Sequence, residues 1–347
     1  MRFGLIGAGM IAGLRKQAIE ATVGAKLAGV FDIDKSRAAD LAGGAQVFSA
    51  LDDMLASDEI DAVIVSTPPD RHEEIAVAAM NAGKHALVEK PLANSVEACR
   101  NMINVSRQTG MVLTTGFNHR YFPAIKELKH AVDSGAIGDL SYVRGFAGHA
   151  GLAEFKSEWM YSKDVMGGGA LFDNGIHMID LVHHVMGPVL GVYGKSTGDI
   201  WGLDRVEDNG FALLTGENGV VGSLHASWTE WKGYHFYIEA YGNRGMARAY
   251  YAPMQSLIVT MDKPGGRPKK KRNFYLRQIV EEKVKGWQST AVRTLSEEIA
   301  DFISLADKKT PKGPIAGAED GYRSIEIAMA VYKSHESNSV TPLAEKI

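Results

Sequence analysis

The chain has 347 residues, enough for two domains with buried cores, and its 45% hydrophobic and 23% charged residues are ordinary for a globular protein. With 38 Lys and Arg against 41 Asp and Glu, its net charge of -3 gives no electrostatic basis for binding nucleic acid or an anionic membrane. The single cysteine excludes an internal disulfide and a cysteine-ligated metal site, and the absence of a long apolar run or a signal peptide predicts a cytoplasmic protein.

The first predicted strand, residues 3–6, leads directly into the motif GAGMIA and then into a helical pattern. In such a motif Gly7 permits a tight turn, Gly9 lets the backbone approach a pyrophosphate, and Ala12 lets the helix pack closely on the strand. The helix N-terminus offers N–H groups and partial positive charge to phosphates. The motif therefore predicts a dinucleotide site at Gly7, Gly9, Met10 and Ile11.

The second predicted strand, residues 26–31, ends at Asp32. An acidic residue roughly 20 positions after the glycine motif commonly binds the ribose hydroxyls of the adenosine. Asp32, Ile33 and Asp34 would repel a 2′-phosphate, which favours NAD, whereas the nearby Arg37 leaves NADP possible. We therefore predict NAD as the cofactor, with Asp32, Ile33 and Arg37 at its ribose.

Strands and helices then alternate, which predicts a doubly wound parallel sheet in a nucleotide-binding domain over residues 1–120. The predicted strands are 62–65, 84–88 and 111–116, and the predicted helices are 51–55, 71–82 and 95–109. Ligands of such sheets bind at the carboxyl ends of the strands. Thr67 and Lys90 both follow strands at this edge, and this position favours a ligand-facing Lys90 over a solvated loop lysine.

Beyond Gly116 the pattern changes, and strand-like runs follow one another without helices between them. Consecutive runs indicate an antiparallel sheet, so we predict an α+β domain over residues 121–347. The predicted strands are 140–146, 190–194, 210–215, 220–227, 235–241, 246–250 and 256–261, and the predicted helices are 122–134, 170–186, 290–306 and 318–334.

The helix predicted from about residue 170 carries Asp173, His177, Asp180 and His184 in one stripe about 60° wide on an otherwise apolar helix. Buried polar groups need partners or a purpose. Histidine is the natural general base near neutral pH, and a carboxylate one turn away can orient it. The pattern favours catalytic roles for Asp173 and His177 and structural roles for Asp180 and His184. A metal site here lacks a partner motif elsewhere, so none is predicted.

Together these motifs resemble the Gfo/Idh/MocA family of NAD(P)-dependent oxidoreductases, which includes inositol dehydrogenases and glucose–fructose oxidoreductase. The resemblance covers nearly the whole chain and rests on GAGMIA at Gly7–Ala12, Thr67-Pro68-Pro69 with His72, Glu89-Lys90-Pro91, Asn118-His119-Arg120, and GGGALFDNGIHMID at Gly167–Asp180. Two positions depart from the family pattern. Pro69-Asp70 follows Thr67-Pro68 where many members have an asparagine, and Tyr161 stands where arginine is common.

The resemblance implies a Rossmann domain and a second domain whose open, mostly antiparallel sheet joins subunits into a homodimer or homotetramer. It implies that NAD oxidises a secondary alcohol of a sugar, polyol or sugar derivative, with Lys90, Asp173 and His177 as the catalytic residues. His177 would be the general base, Asp173 would orient it, and Lys90 would stabilise the reacting oxygen. The further cofactor contacts that we expect are Thr67, Pro68, His72, Glu89, Lys90 and Asn118, and the expected substrate contacts are Asn118, Arg120, Trp159, Lys163, Asp173 and His177.

Two alternatives stay open at this point. A non-catalytic regulator would bind dinucleotide and sugar without reacting, although it would not need Lys90, Asp173 and His177 together. A glycoside-cleaving enzyme would oxidise its sugar transiently and release no net NADH. The basic run Arg267–Arg272 is interpreted as a solvated loop, with contact to a nucleotide-sugar phosphate as the alternative.

Overall fold

The computed structural model describes residues 1–153 and 157–344. The chain divides into two compact units, of which the first contains Met1–Tyr121 and Glu281–Tyr322. The second contains Phe122–Val280 and the chain from Arg323 onward. The sequence-based division instead placed residue 121 and residues 281–322 in the second domain.

The first unit is built on a six-stranded sheet whose strand order is β3-β2-β1-β4-β5-β6, with every pair parallel. Its strands are β1 Arg2–Ile6, β2 Lys26–Phe31, β3 Gln46–Val47, β4 Ala62–Val65, β5 His85–Val88 and β6 Leu113–Thr115. Its helices in this stretch are α1 Met10–Ala21, α2 Lys35–Ala42, α3 Leu51–Ala56, α4 His72–Asn81 and α5 Val96–Thr109. The strand order reverses between β1 and β4, as in a doubly wound dinucleotide-binding sheet.

The second unit contains a nine-stranded sheet of order β14-β13-β12-β11-β7-β10-β9-β8-β15, antiparallel except for the parallel pair β7 and β10. Its strands are β7 Leu140–Gly148, β8 Val189–Thr197, β9 Asn209–Gly216, β10 Val221–Ser227, β11 His235–Gly242, β12 Gly245–Tyr251, β13 Gln255–Thr260, β14 Lys269–Phe274 and β15 Thr341–Pro342. The later helices of the chain are α6 Pro123–Asp133, α7 Lys163–Met166, α8 Asn174–Met186, α9 Leu276–Lys285, α10 Gln288–Ala306 and α11 Ala318–Ser337. The predicted fold class is confirmed.

Helix α10 explains why residues 281–322 return to the first unit. Its side chains Leu295, Ile299 and Phe302 are buried in the core that contains Phe3 and Leu5 of β1. The ring centroids of Phe302 and Phe3 are 5.9 Å apart. The amphipathic pattern of α10 predicts an apolar face, but it does not predict which sheet that face covers.

Helix α8 packs closely on the sheet of the second unit because glycines on the strands leave room for it. A Cβ atom at Gly222 of β10 would lie 2.8 Å from the sulfur of Met186. A Cβ at Gly145 of β7 would collide with Met178 in the same way. The beginning of α8 therefore has a fixed position over β7 and β10, and this matters for the residues that it carries.

Most of the basic run lies in an edge strand, so its interpretation as a loop was wrong for that part, whereas its exposure to solvent is confirmed. This strand is β14, which pairs with β13 alone in the described sheet order. Lys271 of this strand lies 2.8 Å from Glu127. Lysines on an edge strand discourage pairing with other chains. No helix in residues 1–153 or 157–344 is long and apolar enough to cross a membrane.

Candidate active site

The glycine motif forms the turn between β1 and α1 and fits a bound pyrophosphate. Gly7 has a φ of +91°, and a Cβ atom there would lie 2.7 Å from the carbonyl oxygen of Ser66. Gly9 occupies the N-cap position of α1, and among the described residues no heavy atom beyond its chain neighbours lies within 4 Å of where its Cβ would be. Met10, which follows it, is 74% exposed. The first amides of a helix have no partner within it, so this open turn can approach and bind an anion closely.

Asp32 lies beside this turn at the end of β2. Its Oδ2 accepts a hydrogen bond from the Ala8 N–H at 2.6 Å, and its Oδ1 accepts one from the Asp34 N–H at 2.7 Å. Asp34 caps α2 and lies 3.4 Å from Arg37. The neighbouring Ile33 is 95% exposed. The guanidinium of Arg37 is thus balanced by a carboxylate, and this edge suits a ribose diol better than a 2′-phosphate.

The turn after β4 is tied to the turn after β5 by His72. This fully buried side chain lies 2.9 Å from the Thr67 carbonyl oxygen and 3.0 Å from the Pro91 carbonyl oxygen. Burial lowers the pKa of His72. Within the described parts of the chain, the buried Thr67 hydroxyl has no hydrogen-bond partner. His72 therefore holds these two turns together at the ligand edge, where the Thr67 hydroxyl can donate a hydrogen bond.

Lys90 follows β5 directly, and its peptide bond to Pro91 is cis. The Lys90 N–H donates to Oε2 of Glu89 at 3.3 Å. Arg15 of α1 donates from Nε to Oε1 of Glu89 and from Nη1 to Glu298 of α10, both at 2.6 Å. We call Arg15, Glu89 and Glu298 the Arg15 cluster. It is a buried ion cluster that anchors the backbone at Lys90.

The turn after β6 begins with Asn118 and His119. The Asn118 side-chain amide donates to the Thr294 hydroxyl of α10 at 2.9 Å. Burial, together with the positive charge of Lys90, lowers the pKa of His119 to about 3. His119 is therefore neutral near physiological pH and lies close to Lys90. The strand ends of β5 and β6 thus bring Lys90, His119 and Asn118 to one edge, as the parallel sheet predicts.

Arg120, which we predicted to contact substrate, is a buried ion-pair residue in the structure. Its side chain is 4% exposed and lies 3.0 Å from the Asp320 carboxylate. The burial requires this pairing, because an uncompensated guanidinium inside a protein is very costly. The structure therefore gives Arg120 a structural partner, and its contact with substrate stays a prediction.

In the second unit, Asp173 occupies the N-cap position of α8, which begins at Asn174, later than predicted. Its Oδ2 accepts hydrogen bonds from Nε2 of His149 at 2.8 Å and from Nε1 of Trp228 at 3.0 Å. Nδ1 of His149 lies 2.9 Å from the Gly151 N–H, which can only donate. The proton of His149 is therefore on Nε2, and two buried donors orient the Asp173 carboxylate.

His177 lies one turn into α8, so the structure places it near the same helix end as Asp173. It is 8% exposed, and its Nδ1 is enclosed by the protein. Farther along the stripe, Asp180 is 1% exposed and His184 is half-buried. Among the described residues, no group of three or more His, Cys, Asp or Glu side chains could hold a metal ion.

The start of α8 is set by Glu207, which holds the preceding glycine turn. Its carboxylate accepts the N–H groups of Gly169 at 2.9 Å and Leu171 at 2.8 Å, and the hydroxyl of Tyr332 at 2.7 Å. Burial raises the pKa of Glu207. A Cβ at Gly169 would lie 2.8 Å from the backbone nitrogen of Glu207. The glycine run is therefore required by this close approach.

Two further predicted substrate residues lie just before this turn. Trp159 is 39% exposed, and the Lys163 ammonium lies 5.4 Å from the centre of the Tyr332 ring. Tyr161, between them, contacts Trp228 edge to face at 5.8 Å. Burial and then the charge of Asp173 raise the pKa of Tyr161. Tyr161 is thus an aromatic neighbour of the Asp173 carboxylate.

Comparisons with known proteins agree with both units. Residues 1–117 match the family model "Oxidoreductase family, NAD-binding Rossmann fold", and residues 125–248 match "GFO/IDH/MocA C-terminal domain". Inositol 2-dehydrogenase 2 of Saccharopolyspora erythraea is 29% identical over 350 residues, covering 99% of this chain and 95% of that protein. The 1,5-anhydro-D-fructose reductase of Ensifer adhaerens is 31% identical over 236 residues, covering 66% of this chain and 69% of that protein.

Among solved structures, levoglucosan dehydrogenase in complex with NADH superposes with a TM-score of 0.87. The two chains are 23% identical, and the match covers 100% of each. At this identity the likeness concerns the fold, and it extends over both the parallel and the mostly antiparallel sheet.

Proposed function

We propose a function for this chain, which belongs to the Gfo/Idh/MocA family of oxidoreductases and has an NAD-binding Rossmann domain. It transfers a hydride between NAD and a secondary alcohol of a sugar, an inositol-like polyol or a sugar derivative. The names of the relatives support this substrate class, since they include dehydrogenases or reductases of inositol and anhydrofructose. The observation that carries the proposal is the Asp173 carboxylate, which is oriented by two buried donors at the start of the helix that presents His177.

His177 acts as the general base in the oxidative direction. Because its Nδ1 is enclosed by the protein, we place the proton transfer at Nε2. The Asp173 carboxylate, fixed at the cap of the same helix, stabilises the imidazolium that forms. His149 keeps its own proton on Nε2 and serves to orient Asp173.

Lys90 stabilises the negative charge that develops on the reacting oxygen. An ammonium group can donate a hydrogen bond to that oxygen and interact with it electrostatically. The Arg15 cluster supports this role, because Glu89 receives both the Lys90 N–H and the Arg15 guanidinium. The ammonium is thereby attached to a rigid strand end.

Bound NAD would supply the acceptor for the hydride of the alcohol carbon. The pyrophosphate would be bound by the turn of Gly7 and Gly9, and the adenosine ribose by Asp32. Thr67 and Asn118 would contact the cofactor at the ends of β4 and β6. The open Gly9 position and the buried, unpartnered Thr67 hydroxyl support this fit within the part of the chain that is described.

We also propose that the face of the nine-stranded sheet opposite α8 binds a second copy, forming a homodimer or homotetramer. Apolar side chains are exposed on this face, among them Phe211 at 40% and Leu213 at 54%. A shallow depression beside them is lined by Phe146, His225 and Tyr237. An exposed apolar patch of this kind is typical of a subunit contact.

The proposed activity is tested by incubating the purified protein with NAD and a panel of inositols, hexoses and glycosides while absorbance at 340 nm is followed. We expect NADH to form with at least one member of the panel. Binding of NAD and sugar without any NADH would instead favour a regulator. Release of a leaving group without net NADH would favour the glycoside-cleaving reaction.

Asp32→Ala is expected to weaken NAD binding by roughly tenfold or more, since the ribose diol loses a charged hydrogen-bond acceptor. The dissociation constant can be measured by fluorescence titration. Asp34→Ala is the matched control, because Asp34 caps α2 and serves no ribose in this proposal. Equal NAD affinity in the wild type and Asp32→Ala would refute the assignment of Asp32.

A further inference from the structure

Tryptophan side chains extend outward from the Asp173 carboxylate in three steps. Trp228 is fully buried and donates its Nε1–H to Asp173 at 3.0 Å. Trp201 donates its own Nε1–H to the backbone carbonyl of Trp228 at 2.9 Å. The ring of Trp231 lies 5.8 Å from that of Trp201 and is 65% exposed. We call Trp201 and Trp231 the outer tryptophan pair.

A close contact with Gly151 fixes the position of the Trp201 side chain. Gly151 has a φ of +60°, and a Cβ there would lie 2.7 Å from both Nε1 of Trp201 and the carbonyl oxygen of Trp228. Gly151 also donates its N–H to His149, the partner of Asp173. One glycine thus connects Trp201 to the proton-transfer site.

A buried carboxylate fixes the backbone on the other side of Trp201. Oδ2 of Asp208 accepts the N–H groups of Ile200 at 2.7 Å and Trp201 at 3.3 Å. Asp208 itself is fully buried. The loop that carries Trp201 is therefore anchored at a defined place, which a binding surface for a rigid ligand needs.

The chemistry of the pair fits a sugar ring. The indole N–H of Trp201 is already used inside the protein, so the group offers its ring faces to a ligand. These faces carry partial negative charge and attract the polarised C–H groups on one side of a pyranose. A tryptophan as exposed as Trp231, continuous with a reaction site, is a candidate for contact with a ligand.

We propose that the outer tryptophan pair binds the second ring of a two-ring substrate, a disaccharide or a glycoside with a ring-sized aglycone. This inference rests on the proposed function, which places the reacting ring at Asp173 and His177. The whole side chain of Trp228 separates the Asp173 carboxylate from the backbone carbonyl that holds Trp201. A single ring at Asp173 therefore leaves the outer pair uncovered, whereas a second ring covers it.

The test compares one-ring and two-ring sugars by calorimetry on the NAD-loaded protein. The probes are D-glucose and D-galactose, their phenyl α- and β-glycosides, and cellobiose and lactose. We expect at least one two-ring probe to bind more tightly than its parent hexose. Trp231→Ala should remove this advantage, by roughly five- to tenfold in dissociation constant, and Trp231→Phe should retain most of it. Trp287→Ala, which changes another half-exposed tryptophan outside this site, is the matched control.

The outcomes separate this inference from the proposed function. If no two-ring probe binds more tightly than its parent hexose, the second-ring site is refuted even where NADH is produced. If the advantage depends on Trp231 but no NADH forms, hydride transfer is refuted and the second-ring site stands. A change of sedimentation mass in Trp231→Ala, with sugar binding unaltered, would assign the pair to a subunit contact and overturn the inference.

Discussion

Replacing His177 with alanine is expected to lower kcat by about 10²–10⁴-fold, the usual contribution of a positioned general base. NAD affinity should stay unchanged, because His177 is not among the residues proposed to bind the pyrophosphate and the adenosine ribose. The loss arises because the alcohol proton then has no acceptor while the hydride departs. Stopped-flow absorbance at 340 nm with saturating NAD gives kcat, and a fluorescence titration gives the NAD dissociation constant.

His183→Ala is the matched control for this experiment. His183 lies on the same helix, and its Nδ1 is 3.0 Å from the carbonyl oxygen of Gly187 at the helix end. The same histidine-to-alanine change in α8 should leave the pH profile of kcat intact. A His177→Ala variant with wild-type activity between pH 6 and 9 would show that another group takes the proton.

The features that the sequence predicts well are those fixed within one βαβ segment. Gly7 and Asp32 directly follow the adjacent strands β1 and β2, and a hydrogen bond from Ala8 joins the glycine turn to Asp32. Lys90 is predicted for the same reason, since the edge of a parallel sheet follows from the alternation of strands and helices. Their placement requires only local geometry and the twist of the sheet.

The hydrogen-bond partners of Asp173 could not be predicted from the sequence. The helical stripe predicted a carboxylate one turn from a histidine, but Asp173 precedes α8 and accepts hydrogen bonds from His149 and Trp228. Those residues lie just beyond β7 and β10. Their meeting depends on the parallel pairing of two strands that are distant in sequence. The signal in the sequence was a histidine a few residues after a predicted strand, and it did not identify its partner.

Charged residues are hard to place from the sequence for a related reason, since a charge has no sequence signature for burial. Arg120 was predicted to contact substrate, and its ion-pair partner Asp320 is supplied by α11, a distant part of the chain. The run Arg267–Arg272 is exposed, as predicted, but most of it forms the edge strand β14 by pairing with β13. The burial of a charge thus depends on partners that are distant in sequence. The Arg15 cluster is the strongest example, because it joins α1, the end of β5 and α10.

Arg15→Met is expected to lower the free energy of unfolding by about 3–5 kcal/mol, the usual cost of removing one member of a buried ion cluster. Burial opposes the charged form of Arg15, but Glu89 and Glu298 outweigh it and raise the pKa of Arg15. Methionine has a similar length and keeps the apolar contacts, so the loss of unfolding free energy measures the contribution of the charge. It leaves two buried carboxylates close together without their cation.

Urea unfolding of the NAD-free protein, followed by circular dichroism, measures this loss in the transition of the first unit. Arg37→Met is the matched control, because Arg37 is two-thirds exposed and lies 3.4 Å from Asp34, and its cost should be below about 1 kcal/mol. Adding Glu298→Gln to Arg15→Met should restore part of the stability by removing one uncompensated carboxylate. Equal unfolding free energies for Arg15→Met and Arg37→Met would mean that the cluster does not stabilise the strand end that carries Lys90.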